Sequence, residues 1–76
     1  MVRILLSTRL GERRWTQAKL SRLSGVRAAT ISELYNEIAE KISFSDLFKI
    51  CKALNCEISD LLVLEDKPEI DVEDDS

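Results

Sequence analysis

The segment from residue 17 to residue 36 constrains this chain most, because a single glycine divides its twenty residues, QAKLSRLSGVRAATISELYN. Leu20 and Leu23 give the first half an apolar edge, and Ser21 between them is small enough for a second backbone to come close. Gly25 is able to adopt the left-handed conformation that ends one helix and lets the next begin at a steep angle. The pattern therefore predicts two short helices joined by a tight turn.

A helical wheel of the second half, drawn at about 100° per residue, separates an apolar face from a face of short side chains. The apolar face is suited to a core and holds Thr30, Ile31, Leu34, Tyr35 and Ile38. The opposite face holds Ala28, Ala29, Ser32, Glu33 and Asn36. Short side chains let a helix lie deep in the major groove of DNA, where methyl groups and polar tips reach base edges. Plain exposure to solvent explains the same face equally well.

The start of the first half carries its own capping signal. Thr16 is a natural N-cap for a helix beginning at Gln17, and Trp15 and Leu20 are spaced as a hydrophobic staple. A capped start leaves backbone N–H groups and the positive end of the helix dipole pointing outward. We therefore expect Gln17, and Arg14 before it, to lie where a phosphate would bind.

Apolar spacing in the rest of the chain predicts three further helices, so the expected fold is all-α, a compact five-helix bundle. The first helix is expected from about Arg3 to Arg13. A fourth begins at Ser43 and ends at Asn55, and its apolar stripe is interpreted as core: Phe44, Leu47, Phe48, Cys51 and Leu54.

The ends of two helices are less sharply marked by the sequence. The spacing of Ile38 and Ile42 leaves room for the third helix to continue past Asn36. Ser59 is the expected cap of a last short helix that runs through Leu62.

Charge is divided unevenly along the chain. Residues 1–64 hold ten Lys or Arg against seven Asp or Glu, whereas residues 65–76, EDKPEIDVEDDS, hold one lysine against seven acids. We therefore expect one domain at 1–64 and a disordered, flexible acidic tail at 65–76. Within residues 1–27, Glu12 stands alone against seven cations: Arg3, Arg9, Arg13, Arg14, Lys19, Arg22 and Arg27. Such a patch is typical of phosphate binding, although a solvated helix face gives the same count.

Composition argues against several classes of protein. The chain has 76 residues, enough for one small domain. Only three consecutive apolar residues follow Arg3, too few for a signal peptide or a membrane span, so a cytoplasmic protein is expected. Cys51 and Cys56 in a chain without histidine do not make a four-ligand zinc site, and free thiols are favoured over a disulfide. Without histidine, a glycine-rich phosphate loop or a carboxylate pair at a pocket-like spacing, we expect no enzyme, no cofactor and no small-molecule ligand.

Together these residues resemble the Cro and lambda-repressor-like (XRE-type) family of helix-turn-helix proteins, in particular its short stand-alone bacterial or phage-derived members. The resemblance covers Arg3 to Leu64, and its most specific pieces are GERRWTQAKLSRLSGVRAATISELYNE and LFKICKALNCEISDLL. Three positions depart from the family pattern. Arg27 stands where a Ser or Thr cap is preferred, Glu37 where a glycine often follows the third helix, and Ser24 where an apolar residue is commoner.

The resemblance implies that the second helix lies across the DNA backbone and that the third reads bases. By position, Gln17 and Asn36 match phosphate contacts, and Arg14 and Lys41 are predicted to join them. Base edges are expected to face Arg27, Ala28, Ala29, Ser32 and Glu33.

The expected function is sequence-specific regulation of transcription, as a repressor rather than an activator, through binding of a double-stranded operator. The alternative is a protein-interaction module, such as an antirepressor or antitoxin-type partner, which the acidic tail and Glu33 favour. One recognition helix reads too few base pairs to find a site in a genome, so we expect a homodimer on a palindrome. Its interface is predicted among Leu61, Leu62, Val63 and Leu64. The tail is expected either to compete for the phosphate-binding face or only to keep the domain soluble.

Overall fold

The structure is a computed structural model that describes residues 2–65. Within this range the chain forms five helices and two short strands. In chain order they are β1 (Val2–Ile4), α1 (Leu6–Arg13), α2 (Gln17–Ser24), α3 (Ala28–Tyr35), α4 (Phe44–Leu54), α5 (Ile58–Leu61) and β2 (Leu62–Leu64). None of these helices has the length and apolar character needed to cross a membrane. Apart from Glu65, the predicted acidic tail lies outside the described residues.

One apolar core joins all five helices. Helix α2 packs against both α3 and α4, and α1 packs against α3 and α5. The side chains that are most completely buried are Leu6, Leu10, Leu20, Ile31, Leu34, Ile50, Leu54 and Leu61. Because α2 and α3 each contribute to this core, their relative orientation is fixed by packing as well as by the turn between them.

The predicted helix boundaries at α2 and α4 are confirmed by their caps. Thr16 Oγ1 accepts a hydrogen bond from Lys19 N at 3.0 Å, and Ser43 Oγ accepts one from Asp46 N at 3.0 Å. Asn55 ends α4 in the left-handed region, with φ 54°. The cap predicted for the last helix is wrong, because Glu57 precedes α5 and Ser59 lies within it. The side chain that marks the start of α5 belongs to Asp60, whose carboxylate accepts a hydrogen bond from Glu57 N at 3.0 Å.

The all-α prediction is corrected by a two-stranded antiparallel sheet. Strand β1 pairs with β2 so that Val2 faces Leu64 and Ile4 faces Leu62. The ladder continues to Leu5, whose N–H donates to the Leu61 carbonyl at 2.7 Å. Helix α1 consequently begins at Leu6 and not at Arg3. Three-residue strands are too short to show an alternating pattern, and their pairing joins segments that lie far apart in the sequence.

The third helix ends at Tyr35, without the continuation past Asn36 that the spacing of Ile38 and Ile42 allowed. Glu37 enters the left-handed region with φ 57°, and Ile38 N then donates back to the Glu33 carbonyl at 2.9 Å. This backward hydrogen bond closes the helix end. As a result Ile38, predicted to belong to the core, is 68% exposed.

Helix α4 buries three of the five residues of the predicted apolar stripe, Leu47, Cys51 and Leu54, and leaves the other two exposed. The spacing predicts core at every position of this stripe, yet Phe44 is 89% exposed and Phe48 is 63% exposed. The buried seam instead runs through Leu47, Ile50, Cys51 and Leu54. The apolar stripe is therefore wider than the surface that the core covers, and its two aromatic residues lie on the uncovered side.

Candidate nucleic-acid interface

The turn between α2 and α3 is held by two serine side chains. Gly25 has φ 79°, and its N–H donates to the Ser21 carbonyl at 2.9 Å. Ser21 Oγ donates to the Val26 carbonyl at 2.6 Å, and Ser24 Oγ accepts from Val26 N at 3.1 Å. Both backbone polar groups of buried Val26 are thus satisfied without water. This explains why a serine at position 24, where the family more often has an apolar residue, suits the turn.

Helix α3 turns a face of short side chains outward. Ile31 and Leu34 are buried, whereas Ala28, Ala29 and Glu33 are exposed. Ser32 lies half-buried beside them. The structure therefore brings these four predicted base-facing residues to the uncovered side of one helix, as the wheel indicated.

Arg27 lies immediately before α3, and its side chain does not cap the helix. Its backbone is extended, with φ −57° and ψ 143°, and its side chain makes no capping hydrogen bond. A Ser or Thr at this position would cap the helix. Here the exposed guanidinium is available to a ligand at the N-terminus of α3.

The start of α2 is rigidly built around Trp15 and Thr16. Trp15 N donates to the Leu10 carbonyl at 3.0 Å, its ring packs against the core, and Lys19 Nζ lies 4.8 Å from the ring centroid. Gln17, the first residue of α2, is half-buried, and exposed Arg14 precedes it in the left-handed region. The two predicted phosphate-contacting residues therefore lie on either side of a capped helix start.

The other two predicted phosphate-contacting residues lie beyond the end of α3. Asn36 Nδ2 donates to the Ser32 carbonyl at 2.9 Å and lies 3.4 Å from Ser32 Oγ. These contacts hold the Asn36 amide beside the exposed face of α3. Lys41 is exposed in the segment between α3 and α4, outside any regular element.

The basic half of the chain offers fewer available cations than its composition suggests. Arg9 pairs with Glu12 at 3.1 Å, and Arg13 Nη2 donates to the Leu54 carbonyl at 2.8 Å, where it caps the end of α4. Arg3 is bound by carboxylates, as described next. Among the described residues, the arginines in no ion pair are Arg14, Arg22 and Arg27. Two of these three lie next to the starts of α2 and α3.

Glu37 and Arg3 form a paired contact that the sequence did not predict. The Glu37 carboxylate accepts hydrogen bonds from Arg3 Nε at 2.8 Å, Arg3 Nη2 at 2.9 Å and Ile4 N at 3.1 Å. The hydrogen bond from Arg3 is the main cause that lowers the pKa of Glu37 to about 2, and the same bond raises the pKa of Arg3. The contact ties β1 to the segment that leaves α3.

Only part of the predicted dimer interface is exposed on the surface of the domain. Leu61 is 1% exposed and belongs to the core, so its side chain is unavailable to a partner in this structure. Leu62 and Val63 are half-buried in β2, and only Leu64, at 82%, is fully exposed.

The two cysteines lie at the end of α4. Both are free thiols; Cys51 is buried and Cys56 is partly buried. Burial is the main cause that raises the pKa of the Cys51 thiol to about 11, so it is protonated at neutral pH. No cluster of three metal-ligating side chains occurs within residues 2–65.

Two eight-residue helices joined by a glycine turn, with the second helix exposing short side chains, define a helix-turn-helix domain. The match to known families places this domain more narrowly. The chain belongs to the family of Cro/C1-type HTH DNA-binding domains, whose model matches residues 6–67. Comparisons with curated proteins and with solved structures give no match.

Proposed function

We propose that the protein is a sequence-specific transcriptional repressor that binds a double-stranded operator with α3 in the major groove. The exposed face of α3 is the observation that carries the proposal. Ala28, Ala29 and Glu33 form this face, and it has no bulky side chain that would keep the helix out of a groove. The serine-held turn fixes this face relative to α2. Occupation of a promoter by the domain would exclude polymerase sterically.

The exposed residues divide into two roles. Arg27, Ser32 and Glu33 carry polar groups that reach base edges, while Ala28 and Ala29 offer methyl groups to thymine. Arg14, Gln17, Asn36 and Lys41 hold phosphates and set the register of the helix. The second role is supported at α2 by the capped helix start and the unpaired Arg14 beside it.

A homodimer on a palindromic operator completes the proposal. One α3 spans too few base pairs to specify a genomic site, and a twofold pair of copies places two recognition helices about one helical turn of DNA apart.

A protein-interaction module is the second candidate, and Glu33 is the observation that favours it. Its carboxylate is exposed in the middle of the α3 face, where it repels phosphates that a guanidinium would attract. The two functions differ in salt dependence. A steep loss of duplex binding with rising salt supports the DNA-binding function, and binding that is absent at low salt supports the interaction module.

Selection of bound sequences from random duplexes tests the proposed function directly, and three substitutions test its division of roles. Arg27→Ala and Glu33→Ala are each expected to relax the preference at one base position, by about 1–3 kcal/mol of discrimination. Gln17→Ala is expected to weaken binding to all sequences about equally. Lys49→Ala, which removes an exposed cation from α4, serves as the control. An unchanged preferred sequence in both the Arg27 and Glu33 variants would contradict the base-reading role.

A further inference from the structure

The two cysteines of the chain occupy paired positions in the turn that ends α4. Asn55 enters the left-handed region with φ 54° and ψ 50°, and two backbone hydrogen bonds close around it. Asn55 N donates to the Lys52 carbonyl at 3.2 Å, and Cys56 N donates to the Cys51 carbonyl at 3.0 Å. These two bonds define a Schellman motif, in which the side chains of the residues joined by the outer bond commonly pack together. Here both of those residues are cysteines.

The backbone separation of Cys51 and Cys56 suits a disulfide. The hydrogen bond of 3.0 Å between them, with the covalent bonds on either side, keeps their Cα atoms less than about 7 Å apart. Disulfides join Cα atoms that are about 4.4–6.8 Å apart. The thiols also interact, because burial is the main cause that raises the pKa of Cys51 and the neighbouring Cys56 thiol adds to it. The pair therefore needs no rearrangement of the fold to become bonded.

The two thiols differ in their access to solvent. Cys51 is 8% exposed, whereas Cys56 is only partly buried. Both line a groove of about 510 Å³ between α4 and α5, through which a small oxidant reaches them. The reactivity of a cysteine with oxidants follows its thiolate character and its exposure. Cys56 is therefore the thiol that an oxidant meets first, and Cys51 is placed to complete the bond.

We propose that Cys51 and Cys56 form a reversible dithiol–disulfide site whose oxidising substrate is a hydroperoxide, with hydrogen peroxide as the simplest case. The deprotonated Cys56 sulfur attacks one peroxide oxygen, the O–O bond breaks, and the leaving oxygen takes up a proton as water, so that Cys56 becomes a sulfenic acid. The Cys51 sulfur then attacks the Cys56 sulfur, the S–O bond breaks, and the hydroxyl group leaves with the Cys51 proton as a second water. The two thiols lose two electrons and two protons, and the peroxide gains them. A dithiol reductant reverses the reaction by thiol–disulfide exchange.

The disulfide would clamp the end of α4 to the residue that leads into α5. It closes a short loop around the left-handed Asn55 and so reduces the conformational freedom of the unfolded chain. We expect the oxidised protein to melt several degrees above the reduced protein. A melting temperature at or below that of the reduced protein would contradict the clamp.

Oxidation of the full chain by hydrogen peroxide tests the site, with peptide mapping as the readout. Lys52 lies between the two cysteines, so trypsin separates Cys51 from Cys56 in the reduced protein, whereas the disulfide keeps the two peptides joined. We expect an intrachain disulfide, loss of both free thiols, and recovery of both after treatment with dithiothreitol. Thiols that survive excess peroxide, a product dominated by interchain disulfides, or sulfinic acid that dithiothreitol does not reduce would each overturn the proposal.

Two alanine variants test the order of the steps. Cys51→Ala is expected to stop at the sulfenic acid of Cys56, which the cyclic diketone dimedone traps. Cys56→Ala leaves only the buried thiol and is expected to consume peroxide at least tenfold more slowly than the wild type. Because Cys56 is only partly buried, this variant should melt close to the wild type, and it keeps the test decisive if Cys51→Ala folds poorly. A wild-type rate in Cys56→Ala would contradict the role of Cys56.

Asn55→Gly and Asn55→Val test whether the turn positions the thiols. Glycine accepts the left-handed conformation, so Asn55→Gly should form the disulfide at the wild-type rate. Valine disfavours this conformation, so Asn55→Val should form the disulfide several-fold more slowly. Circular dichroism at the reaction temperature checks that both variants are folded, and equal rates in the two would contradict the positioning by the turn.

This inference goes beyond the proposed function and does not rest on it. The reduced wild type is titrated with duplex DNA in parallel with the oxidation experiments. Loss of the proposed sequence-selective binding would overturn the proposed function and leave the redox site standing, whereas failure to form the intrachain disulfide would overturn only the redox site.

Discussion

Glu37 shows how one residue replaces a glycine at a helix end. With φ 57° it occupies a conformation that costs a non-glycine residue energy, yet its carboxylate there accepts three hydrogen bonds, two from Arg3 and one from Ile4 N. A glycine at this position would relieve the backbone but lose the contact. The side chain therefore offsets the backbone strain and connects α3 to β1.

Glu37→Gln is expected to lower the free energy of unfolding at neutral pH, because an amide accepts more weakly than a carboxylate from the Arg3 guanidinium. The pKa of Glu37 is lowered from 4.5 to about 2 on folding, so its contribution is fully present above pH 4.5 and is lost as the pH falls toward 2. Urea unfolding at pH 7 and near pH 2 measures the difference between the wild type and the variant. Glu40→Gln, at a neighbouring exposed carboxylate, is the control. A difference that is the same at both pH values would show that the charge is not the cause.

Residue roles were predictable where the physical cause is local. Thr16, Ser43, Asn55 and Gly25 were assigned correctly because capping and turn formation depend on groups within a few residues. The contact between Arg3 and Glu37 spans 34 residues and leaves no local pattern. The unexpected glutamate at a glycine-favoured position was the one available signal that its side chain has a partner.

The two glycines show that the effect of replacing a glycine on stability depends on its position in a helix. Gly11 lies inside α1, whereas Gly25 ends α2 with φ 79°. Apart from the adjoining residues and the local helix backbone, an added Cβ at either position meets no heavy atom within 4 Å, so contact with the rest of the fold does not distinguish them. Backbone conformation alone decides how each position responds to alanine.

Gly25→Ala is expected to destabilise the domain by about 1–2 kcal/mol, because alanine in the left-handed region brings its Cβ close to the backbone. Gly11→Ala is expected to stabilise it by about 0.5–1 kcal/mol, since alanine loses less conformational entropy in a helix. Chemical denaturation of the two single variants measures both effects against the wild type. Equal changes of the same sign in the two variants would contradict the explanation.

The helices were predictable as elements, and the strands were not. Apolar spacing located α2, α3 and α4 because helical periodicity repeats several times within each. Strands β1 and β2 have three residues each and gain their stability from pairing with each other. The same limit affects α4: periodicity placed Leu47, Cys51 and Leu54 in the core correctly, but it also placed the exposed Phe44 and Phe48 there and missed the buried Ile50.

For the whole molecule, the separation of charge between the domain and its acidic C-terminal residues gives a further prediction. A chain that ends at Glu65 keeps the contact of that residue with Arg3 and removes six acidic residues. It is expected to bind random duplex DNA more tightly than the full chain at low salt. The reason is that the removed acids would compete with DNA phosphates for the arginines of the domain. The difference in affinity should fade as salt rises, because the Debye length falls to about 8 Å at physiological ionic strength.

The control for this comparison keeps the length of the chain constant. A full-length variant in which the same acids are replaced by Asn and Gln should behave like the shortened chain in titrations at both salt concentrations. Equal affinities of all three proteins at low salt would assign the acidic residues to solubility alone.

The pairing of β1 with β2 makes the ends of the domain interdependent. Val2 lies opposite Leu64, so the first and last described segments are each other's hydrogen-bonding partner, and Arg3 extends the connection to the exit of α3. The first and last residues of most domains are poorly ordered unless they are tied down. Here the departure of one end removes the support of the other, so both ends are expected to fray together, beside the exit of α3.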